Sequence, residues 1–196
     1  MKDHCLARIL GLDIAEEDLD FSDMQRSALL IEDNILYKHA TAQFNYTTYD
    51  VRRDKDVIKV GGCIMMPSYE DADTPDRQPF WYARVIGIYH IKVSHAPSST
   101  SGLRIDFLWV RWLGQDPDWK SGHNACRMEK VGYVPIGGSD ESSGPAFGFV
   151  NPESVIRASH LIPAFAEGKT YDLLPSSRFL DTEEGDYVNF FINRYV

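Results

Sequence analysis

Apolar side chains run almost without interruption through residues 80–93 (FWYARVIGIYHIKV) and 103–113 (LRIDFLWVRWL). Both segments are rich in β-branched and aromatic residues, and a polar loop joins them, so the pattern predicts two paired β-strands spanning Phe80 to Leu113. At the two-residue period of a strand, Trp81, Ala83, Val85, Gly87, Tyr89 and Ile91 share one face, opposite Tyr82, Arg84, Ile86, Ile88, His90 and Lys92. In the second segment Ile105, Phe107, Trp109 and Arg111 oppose Asp106, Leu108, Val110 and Trp112. Apolar residues on both faces imply a sheet covered on both sides, as in a barrel or beneath a helix. Gly87, inside a strand, marks a bend or a bulge.

The flanking pattern is weaker. Residues 1–33 read as an acidic helical arm, with Ser22 and Gln25 forming a capping box ahead of the apolar run Ala28–Ile31. Residues 34–49 predict a long strand, strongest from Thr41 to Tyr49, followed by a charged turn, DVRRDKD. CIMM, from Cys63, predicts a short buried strand, and residues 67–79 an exposed loop. CRMEKVGYVPI and AFGFV predict further strands, with the loop GGSDESSGP between them. Asn151-Pro152-Glu153 reads as a helix start, with Asn as cap, Pro at the first position and an acid in the first turn. A short helix, SVIRASHL, is expected to follow and to end near Ile162-Pro163. Residues 164–186 read as loop. The fold class is therefore mostly β with a few short helices, an α+β arrangement.

Composition adds limits. The 196 residues suit one domain with appended tails, and aromatic residues reach 12%. The net charge of −9 argues against broad electrostatic attraction to nucleic acid. Charge is uneven, however: residues 1–33 hold three basic and nine acidic side chains, whereas residues 80–133 hold seven and four. Cys5, Cys63 and Cys126 are too few and too scattered for a disulfide framework and fit a reducing compartment. No apolar stretch approaches the ~20 residues needed to span a bilayer. The first residues resemble neither a signal nor a transit peptide. An intracellular protein is expected, without membrane association.

The chain shows little catalytic chemistry. His123 and Cys126, and His4 and Cys5, are the close His–Cys pairings, and neither has a matching second pair, so no metal site and no cofactor are expected. Cys126 has no local base, which leaves a thiol- or metal-dependent hydrolase as a minor alternative to a non-enzymatic role. Asp106, Arg84 and Arg111 lie inside apolar strands, where a charge requires a partner; a structural Asp106–Arg pair is expected. Trp109 reads as core. Trp81, Tyr82, Tyr89 and Trp112 are candidates for an aromatic cage around a methylated ammonium, with Tyr82 and Trp112 favoured because charged residues share their faces. Arg52, Arg53, Arg84, Arg111, Arg127 and Lys130 are the candidates for nucleic-acid contact.

Several of these stretches carry a resemblance. The strand Trp81–Ile86, the segment DFLWVRWL (Asp106–Leu113) and the later NPESVIRASHLIP (Asn151–Pro163) resemble the bromo-adjacent homology (BAH) pattern. A closer likeness covers most of the chain from Asn45 onward. It runs through NYTTYDVRRDKD, PFWYARVIGIYHIKV, DFLWVRWLG, AFGFVNPESVIRASHLIPAFAEGKT and YVNFFINRYV. These stretches look like the C-terminal region of proteins encoded by basidiomycete DNA transposons of the Plavaka and KDZ-like type. Proteins of that type continue past the final motif and carry a large upstream catalytic part. The resemblance thus implies an accessory domain, stand-alone or relic, and assigns no transposase carboxylate here.

Together these readings give an acidic arm (residues 1–33), a BAH-like barrel (34–170) and a C-terminal extension (171–196). The expected function is a binding or scaffolding module recognising a protein or peptide, with a histone tail as one candidate, in the nucleus. DNA binding as a transposase accessory domain, or a relic without activity, is the alternative.

Overall fold

The computed structural model describes residues 1–12, 20–48, 50–68, 78–122, 125–136, 145–170 and 185–193. It is mostly β, with two short helices and a large antiparallel sheet, as the pattern predicts.

The chain opens with α1 (Lys2–Leu10), which ends where Gly11 turns left-handed at φ 66°. Then α2 (Asp23–Ala28) starts on the predicted capping box: the Gln25 N–H donates to Ser22 Oγ at 3.3 Å, and the Ser22 N–H donates to Gln25 Oε1 at 2.9 Å. The apolar run beyond Ala28 does not continue the helix. It forms β1 (Leu29–Ile31), because pairing with a long neighbouring strand buries Leu29 to 1% exposure.

After a 3₁₀ turn at Glu32–Asn34, β2 (Tyr37–Lys38) and β3 (Thr41–Thr47) replace the single strand expected over residues 34–49; Tyr49 lies outside the described residues. Half of the expected charged turn is strand: β4 (Arg53–Lys59) pairs with β3 from Thr41–Lys59 to Thr47–Arg53. Its outward face keeps Arg53, Lys55 and Lys59 in water while Ile58 and Phe44 point inward, and Asp56 on the inward face accepts from the Ala158 N–H at 2.8 Å. The buried β5 (Cys63–Pro67) follows, then β6 (Phe80–His95) and β7 (Thr100–Gln115), the two strands the sequence marked most clearly. Next come β8 (Lys130–Tyr133) and β9 (Phe147–Val150); the loop at residues 137–144 is outside the described part.

The Asn151 cap forms, with its side chain accepting from the Glu153 N–H at 3.2 Å, but it starts only a 3₁₀ turn, Pro152–Ser154. The expected helix is instead β10 (Arg157–Pro163). Local capping is outweighed there by a tertiary ladder: Ile156 donates to Met65 O at 2.9 Å, and β10 then pairs with β5. Finally β11 (Lys169–Thr170) pairs with β12 (Asp186–Tyr187), and β13 (Asn189–Asn193) joins both β10 and β8. Residues after 170, expected as an extension, thus supply a strand of the main sheet.

Strands β6, β5, β10, β13, β8 and β7 hydrogen-bond in that order, and β7 returns to β6. The ring is closed and antiparallel throughout, so those strands present no free edge to one another. Strands β1, β2 and β9 extend the ladder outside the ring.

The long β6–β7 ladder passes through three cores. Within the ring lie Cys63, Met65, Tyr82, Leu113, Val131, Tyr133, Phe190 and Ile192. Outside it, Phe44 and Ile58 of the β3–β4 hairpin cover Ile64, Ala83, Val85, Ile88, Leu108 and Val110. Toward the far end, Cys5, Leu6 and Ala7 of α1 pack with Phe21 and Leu29 onto Ile91, Val93, Ile105 and Phe107. The expected arm is therefore part of a core. The two-sided burial inferred from sequence is produced by the hairpin on one face and by the ring interior and helix on the other.

The β6–β7 register slips between Val85 and Gly87, the bulge that Gly87 signalled. The faces predicted by simple alternation therefore hold only up to Val85. After the bulge, Gly87, Tyr89 and Ile91 join the face of Tyr82 and Arg84, while Ile88 joins that of Val85. Among the described residues, no helix is long and apolar enough to cross a membrane.

Candidate functional site

Between the β3–β4 hairpin and the β6–β7 ladder lies a cleft of about 310 Å³. Phe44, Ile88, Tyr89, Phe107 and Leu108 are the large apolar residues along it. Polar groups of both signs surround it: Arg8 from α1, Arg104 and Asp106 from β7, Gln43 from β3, and Asn151 and Glu153 from the capped turn. Arg8 Nη1 donates to the Asp106 carbonyl at 2.5 Å, which ties α1 to the cleft wall. Arg104 grips the Asp106 carboxylate through Nε and Nη2, at 3.0 and 2.6 Å. The expected Asp106–Arg pair exists, but its partner is the neighbour two residues away rather than Arg84 or Arg111, and it is about half exposed.

His39 also lines this cleft. Its backbone N–H donates to Ile88 O at 2.8 Å, which extends the β2–β6 pairing by one rung. Register places His90 between Tyr37 on β2 and Asp106 on β7. The Tyr37 ring stacks on His90 at 4.5 Å between centroids and 5° between planes. His39 Nε2 lies 2.6 Å from His90 Nδ1, so one ring donates and the other accepts. Burial holds the His90 pKa below its ordinary value, and the Arg104, His39 and Lys92 charges act in the same direction against the opposing effect of Asp106. Among the described residues, His39, His90 and Asp106 form the group whose ligand atoms all lie within 4.8 Å of one another.

The four cage candidates do not converge. Tyr82 is 4% exposed inside the ring, where its hydroxyl donates to Glu129 at 2.7 Å. Trp81 and Trp112 meet edge to face at 5.9 Å on the opposite, hairpin-covered face. Tyr89 lies beside Phe107 at the cleft. Trp109, expected in the core, is half-buried beside Phe147.

The basic candidates are similarly dispersed. Arg52 pairs with Asp50 at 2.9 Å and, with Arg53, is exposed by the hairpin turn. Arg127 is exposed and lies over the Trp119 ring at 4.8 Å. Lys130 is 8% exposed and salt-bridged to Asp116 at 2.8 Å and Glu167 at 2.5 Å. Arg84 reaches Asp186 and Tyr133 within the ring. Arg111 is 1% exposed; Nη1 donates to Ala146 O at 2.9 Å, while Nε and Nη2 have no hydrogen-bond partner among the described residues. Half of the basic set therefore points into protein rather than toward a phosphate backbone.

Of the cysteines, Cys5 and Cys63 are buried, and burial pushes both thiols up to about 11, which makes them poor nucleophiles. Cys126 is exposed, and His123 lies outside the described residues. Sequence reasoning missed His39, His90, Arg8 and Asp186. His90 carried one usable signal: an ionisable group in an apolar strand, like Asp106 in the next. No family model, curated protein or solved structure matches the chain.

Proposed function

We propose that this chain is a binding module that receives an extended peptide segment in the cleft between the β3–β4 hairpin and the β6–β7 ladder. The cleft carries the reading. Its size is that of a pocket for one or two side chains, and its lining combines apolar residues with fixed donors and acceptors. Groups of both signs on that rim suit a peptide bearing both charges better than a polyanion. The likeness to BAH domains and to transposon-encoded proteins supports a chromatin or transposon protein as the source of that peptide. It equally supports a nuclear location. A histone tail is the first partner to test, read by the cleft rather than by an aromatic cage.

The experiment is a titration of the isotope-labelled chain with unmodified and methylated histone-tail peptides, followed by amide chemical shifts. The expected result is saturable shifts at Thr41–Phe44 and Asp106–Leu108, weakened by Arg104→Glu. Saturable shifts confined to another surface, or none at millimolar peptide, overturn the proposal.

A further inference from the structure

We infer that His39, His90 and Asp106 form a binding site for a divalent first-row transition ion of the zinc class, in the wall of the cleft. Two strand pairings, β2–β6 and β6–β7, produce this juxtaposition. His90 sits mid-strand on β6, Asp106 is its direct partner on β7, and His39 extends β2 on the other side. Two imidazoles and one carboxylate make a set of borderline donors, which suits zinc, cobalt or iron rather than calcium or magnesium. The ligand atoms already lie within 4.8 Å of one another.

The present His39–His90 contact of 2.6 Å is a hydrogen bond and is too short for two nitrogens sharing one ion. Tetrahedral bonds of about 2.0–2.1 Å place such nitrogens about 3.3 Å apart. The rings must therefore part by less than 1 Å, a small rotation for His39 at the exposed end of β2. On binding, the donor ring shifts its proton to its other nitrogen, so each neutral imidazole turns a lone pair to the ion. Arg104 holds the Asp106 carboxylate in orientation through two donors, and a carboxylate has lone pairs enough to keep that contact while ligating. An ion there leaves a coordination position for water or for a carboxylate of a bound ligand.

The inference does not rest on peptide binding, because its probe is the metal ion alone. The test is equilibrium dialysis and calorimetry of the whole chain with Zn²⁺, together with the visible d–d spectrum of the Co²⁺ form. The expected result is one ion per chain with a tetrahedral cobalt spectrum. Affinity falls at least about 100-fold in His39→Ala and His90→Ala, beyond the loss typical of second-shell changes. It is kept in Cys126→Ser, which excludes the exposed thiol. His39→Gln retains a hydrogen-bonding side chain, so it serves if the alanine variant unfolds, with the same loss expected. Binding unchanged in the histidine variants, lost in Cys126→Ser, or absent in the wild type overturns the inference, even if a peptide binds the cleft.

Discussion

The Tyr133 hydroxyl donates to Asp186 Oδ2 at 2.8 Å inside the ring, on the oxygen that also pairs with Arg84. The acid and Arg84 come from positions 102 residues apart, yet both lie close to three-quarters buried. Burial raises the Tyr133 pKa, so its hydroxyl stays a donor. Asp186→Ala leaves Arg84 without its counter-charge. The expected cost is about 2–3 kcal/mol, below the ~3–5 of a fully buried pair because solvent reaches both partners. Urea denaturation measures it, and a loss under about 0.5 kcal/mol contradicts the assignment.

Arg111 behaves differently. Two of its guanidinium nitrogens are unsatisfied among the described residues, and the Ala146 carbonyl that it serves also accepts from the Trp112 N–H at 3.0 Å. Replacement by an apolar side chain of similar length therefore removes unpaired donors and leaves no hydrogen-bond acceptor orphaned, losing only the cation–π contacts with Tyr133 and Phe147. Arg111→Met is expected to be within about 1 kcal/mol of wild type or more stable. Arg111→Ala leaves a cavity and is expected to cost about 3 kcal/mol. Thermal melts of the two variants, compared side by side, separate these outcomes.

His4 makes stability depend on pH. Its ring packs against Phe107 and Phe149 at 6.4 and 6.3 Å, 7% exposed, with neither nitrogen hydrogen-bonded among the described residues. Burial, then the charges of Arg8 and the amino terminus, hold its pKa down to about 4 against an ordinary 6.5. Below pH 6.5 the unfolded chain takes up a proton that the folded chain refuses. This contribution is therefore complete above pH 6.5, falls as pH drops, and levels off below about 4. The span corresponds to about 3 kcal/mol. His4→Phe is expected to flatten the slope between pH 6.5 and 4 in denaturation curves; an unchanged slope refutes the role.

At the bulge, the Tyr89 ring lies across Gly87, and a Cβ on Gly87 would stand 2.2 Å from that ring. Gly87→Ala is expected to cost about 1–3 kcal/mol through overpacking. In a Tyr89→Ala background the added cost should shrink to a few tenths, which a double-mutant cycle reads directly. Additive costs rule out the steric account.

The β6–β7 pair and the Gly87 bulge were legible because they are local: two uninterrupted apolar runs, and a glycine where a side chain would clash. The Ser22 cap was legible for the same reason. What failed depended on distant partners. Asn151 does cap its turn, but Ile156 then finds Met65, and β5 draws the following residues into a strand. His39 and His90 are 51 residues apart and meet only through strand register. Asp106 was correctly marked as anomalous, yet its partner was sought across the sheet and lay two residues away. Arg84 and Arg111 were marked too, but sequence parity alone could not distinguish a ring interior from a surface.

The closed ring also implies an order of events in time. The β6–β7 hairpin needs only a tight turn near Ala96–Ser99, whereas Cys63 and Ser159, opposed across β5 and β10, are separated by 96 residues. The entropy of closing so long a loop is lost before the ladder returns anything, which slows folding into the millisecond-to-second range of high-contact-order proteins. The hairpin is the natural nucleus, and the β5–β10 seam is the last to zip and the first to open.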